Sequence, residues 1–162
     1  MAMVEIRQFD RSFTAALTDI TLRSLEAMHD GTRAEVFDNI YKPFYLHDED
    51  PGNTDTLLAI IEAQPEAIWV ASIADDVVGF IAVRMNNVDA LGEVFMLTVS
   101  PAHQGKGVGQ SLLSHVETVL RNKGMKIVTV ETITQDFAPP AKRIYENLGY
   151  DPWPVERFFK IL

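Results

Sequence analysis

The chain has 162 residues, nearly half of them apolar, with no cysteine and a formal charge of −9. That length and apolar content suit a single domain spanning residues 1–162, no apolar run approaches the roughly 18 residues of a membrane span, and no basic stretch followed by an apolar one opens the chain, so a cytoplasmic location without membrane contact is expected. The lack of cysteine excludes a disulfide framework, thiolate zinc sites and a cysteine nucleophile, and the negative charge argues against nucleic acid as a partner, because phosphate backbones are held by Lys and Arg.

In chain order, Val4 to Phe9 alternates as a first strand would, and Phe13, Ala16, Leu17, Ile20 and Met28 recur at helical spacing. Thr32 and Glu35 form a T-x-x-E capping box ahead of Phe37, Ile40, Tyr41 and Phe44, which predicts a second helix. His47 to Asn53 is acidic and holds Pro51 and Gly52, so it reads as a loop, and Leu57 to Ala63 reads as a short helix stopped before Pro65. Ile68 to Ile73 and Val77 to Met85 are rich in β-branched and aromatic residues and flank Asp75 and Asp76, the layout of an antiparallel hairpin. After a turn over Asn86 to Gly92, Glu93 to Val99 is a third strand of this run. Leu112, Leu113, Val116, Val119 and Leu120 form the apolar stripe of a helix ending near Gly124, and Ile127 to Thr132 is the next strand, expected to lie parallel to Glu93 to Val99 across that helix. Pro139 and Pro140 suit a first helical turn, Ala141, Ile144 and Leu148 supply its apolar face, and Gly149 is placed to close it in the left-handed conformation. Arg157 to Leu162 reads as a last strand. No repeat, linker or low-complexity tract interrupts the order.

Val99 to Ser111 carries the chemistry. It reads Val-Ser-Pro-Ala-His-Gln-Gly-Lys-Gly-Val-Gly-Gln-Ser, a glycine turn between a strand and an amphipathic helix. A helix start presents unpaired amides and partial positive charge, and glycines allow a diphosphate to approach the backbone closely. Lys106 is followed by Gly107 rather than Ser or Thr, which excludes a Walker A loop, and Leu112 stands where a dinucleotide fingerprint needs its third glycine.

Gln104, Gly107 and Gly109 match Q/R-x-x-G-x-G/A, the acetyl-CoA signature of the GNAT superfamily, and the stretch resembles that family further. Val99-x-Pro101 before the loop, Leu112-Leu113 after it, and an A-x-x-x-Y-E-x-L-G-Y segment from Ala141 to Tyr150 occur in the family's order, so the resemblance covers Glu93 to Tyr150, about a third of the chain. It implies an α/β fold with a mixed, mostly antiparallel sheet flanked by helices, in which a splayed strand pair holds acyl-CoA, and an enzyme that moves an acetyl group from acetyl-CoA to a primary amine by direct attack in a ternary complex. A protein that kept the fold as a non-catalytic acyl-CoA sensor is the alternative; a homodimer is left open and the acceptor is not indicated.

The same resemblance implies the site. Leu97, Thr98 and Val99 would line the pantetheine arm, with the Leu97 amide facing the oxyanion, and Gln104, Gly105, Lys106, Gly107, Val108, Gly109 and Gln110 would hold the diphosphate. Tyr145 matches the family's general acid at the thioester sulfur; as a phenol it keeps its proton at neutral pH. Glu93, eleven residues before Gln104, stands where some members carry a general-base glutamate. The chain departs from the family at Ala138, where an asparagine that contacts the cofactor is common. His29, His47, His103 and His115 lack metal-ligand spacing, so no metal is expected, and Trp69 and Trp153 are expected in the core or lining a groove.

Overall fold

A computed structural model describes residues 3–31, 54–132, 139–154, 158 and 160. Its sheet has five strands in the order β1 (Glu5–Gln8), β2 (Ile68–Ile73), β3 (Asp76–Asn86), β4 (Leu91–Val99) and β5 (Ile127–Val130). The first three pairings are antiparallel and β4 runs parallel to β5, which gives the mixed, mostly antiparallel sheet that the sequence implies. The helices are α1 (Thr14–Gly31), α2 (Thr54–Ala63), α3 (Val108–Asn122) and α4 (Pro139–Asn147). The second helix expected after Thr32 lies outside the described residues. So does the last strand, apart from Phe158 and Lys160.

Side-chain alternation along β2 and β3 divides the core into two layers. Trp69, Ala71, Ile81 and Val83 pack with Val108, Leu112, Leu113, Val116 and Leu120 of α3, and Ile144, Tyr145 and Leu148 of α4 lean on the same layer. Ile68, Val70, Phe80 and Ala82 face the other way, onto Leu17 of α1 and Leu57 and Ile61 of α2. Both central strands are therefore covered on both faces, which explains why they read as nearly continuous apolar runs.

Several boundaries move from their expected places, and α2 starts at Thr54, three residues before the expected Leu57. The hairpin turns at Ala74 and Asp75, both at positive φ (50° and 69°), and Asp76 already pairs with Ile73. Positive φ at two central residues matches the twist of the flanking strands, but Ala is an unusual choice for it, so the sequence pointed one residue too late. β4 starts two residues early, at Leu91, and β5 stops at Val130 rather than Thr132. Trp69 is buried, whereas Trp153 stands in solvent.

Candidate active site

The last paired residues of β4 and β5 are Val94 and Val130. Beyond them β4 continues to Val99 with β3 alone beside it, so Leu97, Thr98 and Val99 lie on a strand edge that β5 does not pair. A bulge lies next to the last pair: Ala82 pairs with Met96 and Val83 with Val94, leaving Phe95 as the extra residue. Val94, Leu97 and Val99 pack toward α3 and α4, while Phe95 and Met96 turn to the opposite layer. Bulges re-aim a strand in this way.

At the end of β4 the chain is fastened before it turns. The Val99 carbonyl accepts from the Gln104 side-chain amide at 3.1 Å and from the Ser24 hydroxyl of α1 at 3.3 Å, and the Ser100 amide donates to the Val78 carbonyl at 2.8 Å. Gln104 thus ties the glycine loop to the strand before it. Gly105 and Gly107 follow at φ 72° and 83°, a region that costs residues with a Cβ about 1–2 kcal/mol.

Gly107 is the N-cap of α3 and has no side-chain cap; its carbonyl takes the first helical bond, from the Ser111 amide at 3.0 Å, and also accepts from the Ser111 hydroxyl. The first amides of the helix are thus left for an external acceptor, at the positive end of the helix dipole. A Cβ built on Gly107 would meet nothing within 4 Å, so the space above the loop is open. Lys106, Gly107, Gln110, Ser111 and Ser114 line an open depression of about 680 Å³ beside the loop, with Met3 and Val4 on its far side.

Helix α4 reaches this corner from beyond β5. A Cβ on Gly109 would lie 3.7 Å from the Ile144 Cδ1 and 3.8 Å from the Val99 Cγ2, so strand end, loop helix and α4 meet there. Such ordinary contact distances fit the alternation of Gly and Ala at the last position of the signature. The next residue, Tyr145, is half-buried, and burial raises its phenol pKa. Gly149, at φ 84°, closes α4 as expected: its amide donates to the Glu146 carbonyl at 3.1 Å and the Tyr150 amide to that of Tyr145 at 3.0 Å. The Tyr150 ring lies 5.8 Å from the Tyr145 ring, tilted by 55°.

Glu93 stands on the paired part of β4, one residue before Val94, exposed and 4.0 Å from the Arg84 guanidinium, which lies 3.3 Å above the Phe95 ring. It is thus one residue before the last β4–β5 pair, in water rather than in an apolar pocket. Ala138 lies outside the described residues. Among those described, no group of three or more metal-binding side chains occurs, and no helix is long and apolar enough to cross a membrane.

Sequence reasoning assigned no role to Ser24 or Tyr150. The signal for Tyr150 was present, since it ends the second motif; nothing in the sequence connects Ser24 with a strand end 75 residues later.

Known proteins share this fold. Two solved structures share the fold at 18% identity: an N-acetyltransferase from Thermoplasma acidophilum in complex with coenzyme A (TM-score 0.72, covering 95% of this chain and 93% of that one) and the ribosomal-protein-S18-alanine N-acetyltransferase from Escherichia coli (TM-score 0.68, 96% and 82%). A mycothiol acetyltransferase from Renibacterium salmoninarum is 24% identical over 94% of this chain and 52% of its own length. One from Streptosporangium roseum is 35% identical over 44% of this chain and 21% of its own. The chain thus spans about half or less of these relatives. The sequence pattern of the acetyltransferase (GNAT) family matches residues 34–150, more than half of the protein, and the chain belongs to that family.

Proposed function

We propose that this protein transfers an acetyl group from acetyl-CoA to a primary amine, without a covalent enzyme intermediate. The observation that carries this reading is the edge of β4 left unpaired by β5 beyond Val94 and Val130, next to an uncapped helix start. An extended acyl-pantetheine arm fits beside Leu97, Thr98 and Val99, and its diphosphate fits the amides from Gly105 to Gln110, with the Lys106 ammonium nearby.

The reaction forms a nitrogen–carbon bond and breaks the carbon–sulfur bond of the thioester. The attacking amine loses a proton, for which Glu93, exposed to water, is the acceptor through a bridging water. The oxyanion is stabilised by a strand amide, that of Leu97. The departing thiolate takes its proton from Tyr145, whose phenol burial keeps protonated.

A thiol-release assay with acetyl-CoA and a panel of amines tests the proposal. The panel should hold small amines, polyamines, peptide amino termini and the acceptor of mycothiol acetyltransferases. At least one amine should raise release well above the amine-free rate, with mass spectrometry finding the acetyl group on its nitrogen. Tight CoA binding with no acceptor-dependent release would instead identify a non-catalytic acyl-CoA sensor.

A further inference from the structure

A general acid must be held in direction as well as in position, because small misplacements of a catalytic group are costly. Among the described residues the Tyr145 hydroxyl has no hydrogen-bond partner of its own, so its direction comes from whatever fixes the ring. Tyr150 packs against that ring. Its backbone is fastened to Tyr145 by the bond that closes α4, so the two rings lean together as a consequence of how the helix stops.

The far end of Tyr150 reaches α3. Its hydroxyl is sealed from water, as is the Oε1 of Glu117; neither atom has a hydrogen-bond partner among the described residues, and Glu117 is the side chain that acts most strongly on the phenol. Leaving a buried polar group unpaired is costly, more so if it is charged, so each is the natural partner of the other. Helix α4 is then attached to α3 at two points, Ile144 at Gly109 and Tyr150 at Glu117. Those points are eight residues apart on α3, roughly 12 Å at the helical rise. One attachment would leave α4 free to roll; two prevent it.

We propose that Tyr150 and Glu117 are positioning residues: the hydroxyl of Tyr150 donates to the Glu117 carboxylate, and this bracket sets the direction of the Tyr145 phenol relative to the glycine loop. The proposal rests on the reading of Tyr145 as the acid. The Tyr150 pKa agrees with it, being raised well above the phenol range by burial and then by the hydrogen bond and charge of Glu117, with a smaller contribution from Tyr145.

The test uses Tyr145→Phe, Tyr150→Phe, their double variant, Glu117→Gln and Glu117→Leu, each checked by thermal melting. Tyr150→Phe and Glu117→Leu should lower kcat about 10-fold or more with KM for acetyl-CoA unchanged. Glu117→Gln, whose amide oxygen still accepts, should keep most of the turnover. Adding Tyr150→Phe to Tyr145→Phe should slow the enzyme no further, because a residue that acts through Tyr145 has nothing left to position. Multiplying effects in the double variant, or full turnover in Tyr150→Phe beside a slow Tyr145→Phe, would overturn the proposal. Full turnover in Tyr145→Phe alone would remove the acid itself, and the bracket's role with it. A second readout needs no substrate: by tyrosinate absorbance, the phenol missing in Tyr150→Phe should titrate above free tyrosine and move down in Glu117→Gln. A phenol at the ordinary value, unmoved by that substitution, would show that the bracket does not exist.

Discussion

Tyr145 and Glu93 are the two side chains given chemistry, and their surroundings differ in a way that separates their tests. Tyr145 is half-buried on the layer between α3, α4 and the sheet, and burial raises its pKa, so in the proposed reaction its proton is held until charge develops on sulfur. Its contribution belongs to the transition state: Tyr145→Phe should cut kcat about 10²-fold while leaving acetyl-CoA affinity nearly unchanged. Steady-state kinetics at saturating acetyl-CoA and calorimetric CoA binding together check this, and a well-folded variant with near-normal turnover would take Tyr145 out of the mechanism. Glu93 is exposed on its strand beside Arg84. If it passes the amine's proton to water, Glu93→Gln should lower kcat, again without weakening CoA binding, because it lies on the part of β4 that β5 pairs. Unchanged turnover in that variant would reduce Glu93 to a surface ion pair, an interaction usually worth less than about 1 kcal/mol.

At the scale of elements, the glycine loop and the helix it opens act in the proposed reading as one binding device, and two effects of substituting Gly107 can be told apart. A side chain there must adopt a left-handed φ, which costs stability, and its Cβ would project into open space, which costs the protein nothing. Gly124, at the opposite end of α3, has nearly the same φ and an equally open Cβ direction. Gly107→Val and Gly124→Val should therefore both lose about 1–2 kcal/mol of stability, or somewhat more for a β-branched residue. Only Gly107→Val should also weaken CoA binding by calorimetry. Equal affinities in the two variants would place the diphosphate elsewhere. This loop was legible in the sequence because helix start, glycine spacing and preceding strand all lie within about a dozen residues. The bulge at Phe95 was not. No glycine or proline marks it, and it arises from pairing with Ala82 and Val83 of a neighbouring strand.

Across the whole molecule, what could be read beforehand was what local periodicity encodes: the hairpin of β2 and β3, the apolar stripe of α3, the closing of α4 at Gly149. The point where β4 and β5 stop pairing came only from the family resemblance and not from periodicity, because it depends on how far two strands separated by a helix stay in register. The Tyr150 and Glu117 contact was hidden for the same reason, since it forms only when α4 returns to α3. That return makes a prediction about the folded state as a whole. Tyr145 and Tyr150 both have phenol pKa values raised above the ordinary 10 by folding, chiefly through burial. A group whose pKa is higher in the folded than in the unfolded chain binds its proton more tightly when folded, so its stabilising effect is complete below pH 10 and is lost as the pH climbs from 10 toward the raised values. Melting temperature should therefore stay level from neutral pH up to about 10 and then fall, as ionisation sets two phenolates against each other and against Glu117 where α3 meets α4. Phenylalanine cannot ionise, so Tyr150→Phe should melt with a shallower alkaline slope than the parent chain, although it begins without the hydroxyl's hydrogen bond. Thermal melts of both proteins across that range decide it: parallel alkaline slopes would mean that Tyr150 is not protonated more tightly in the folded state, and that the contact with Glu117 contributes nothing to holding α4 in place.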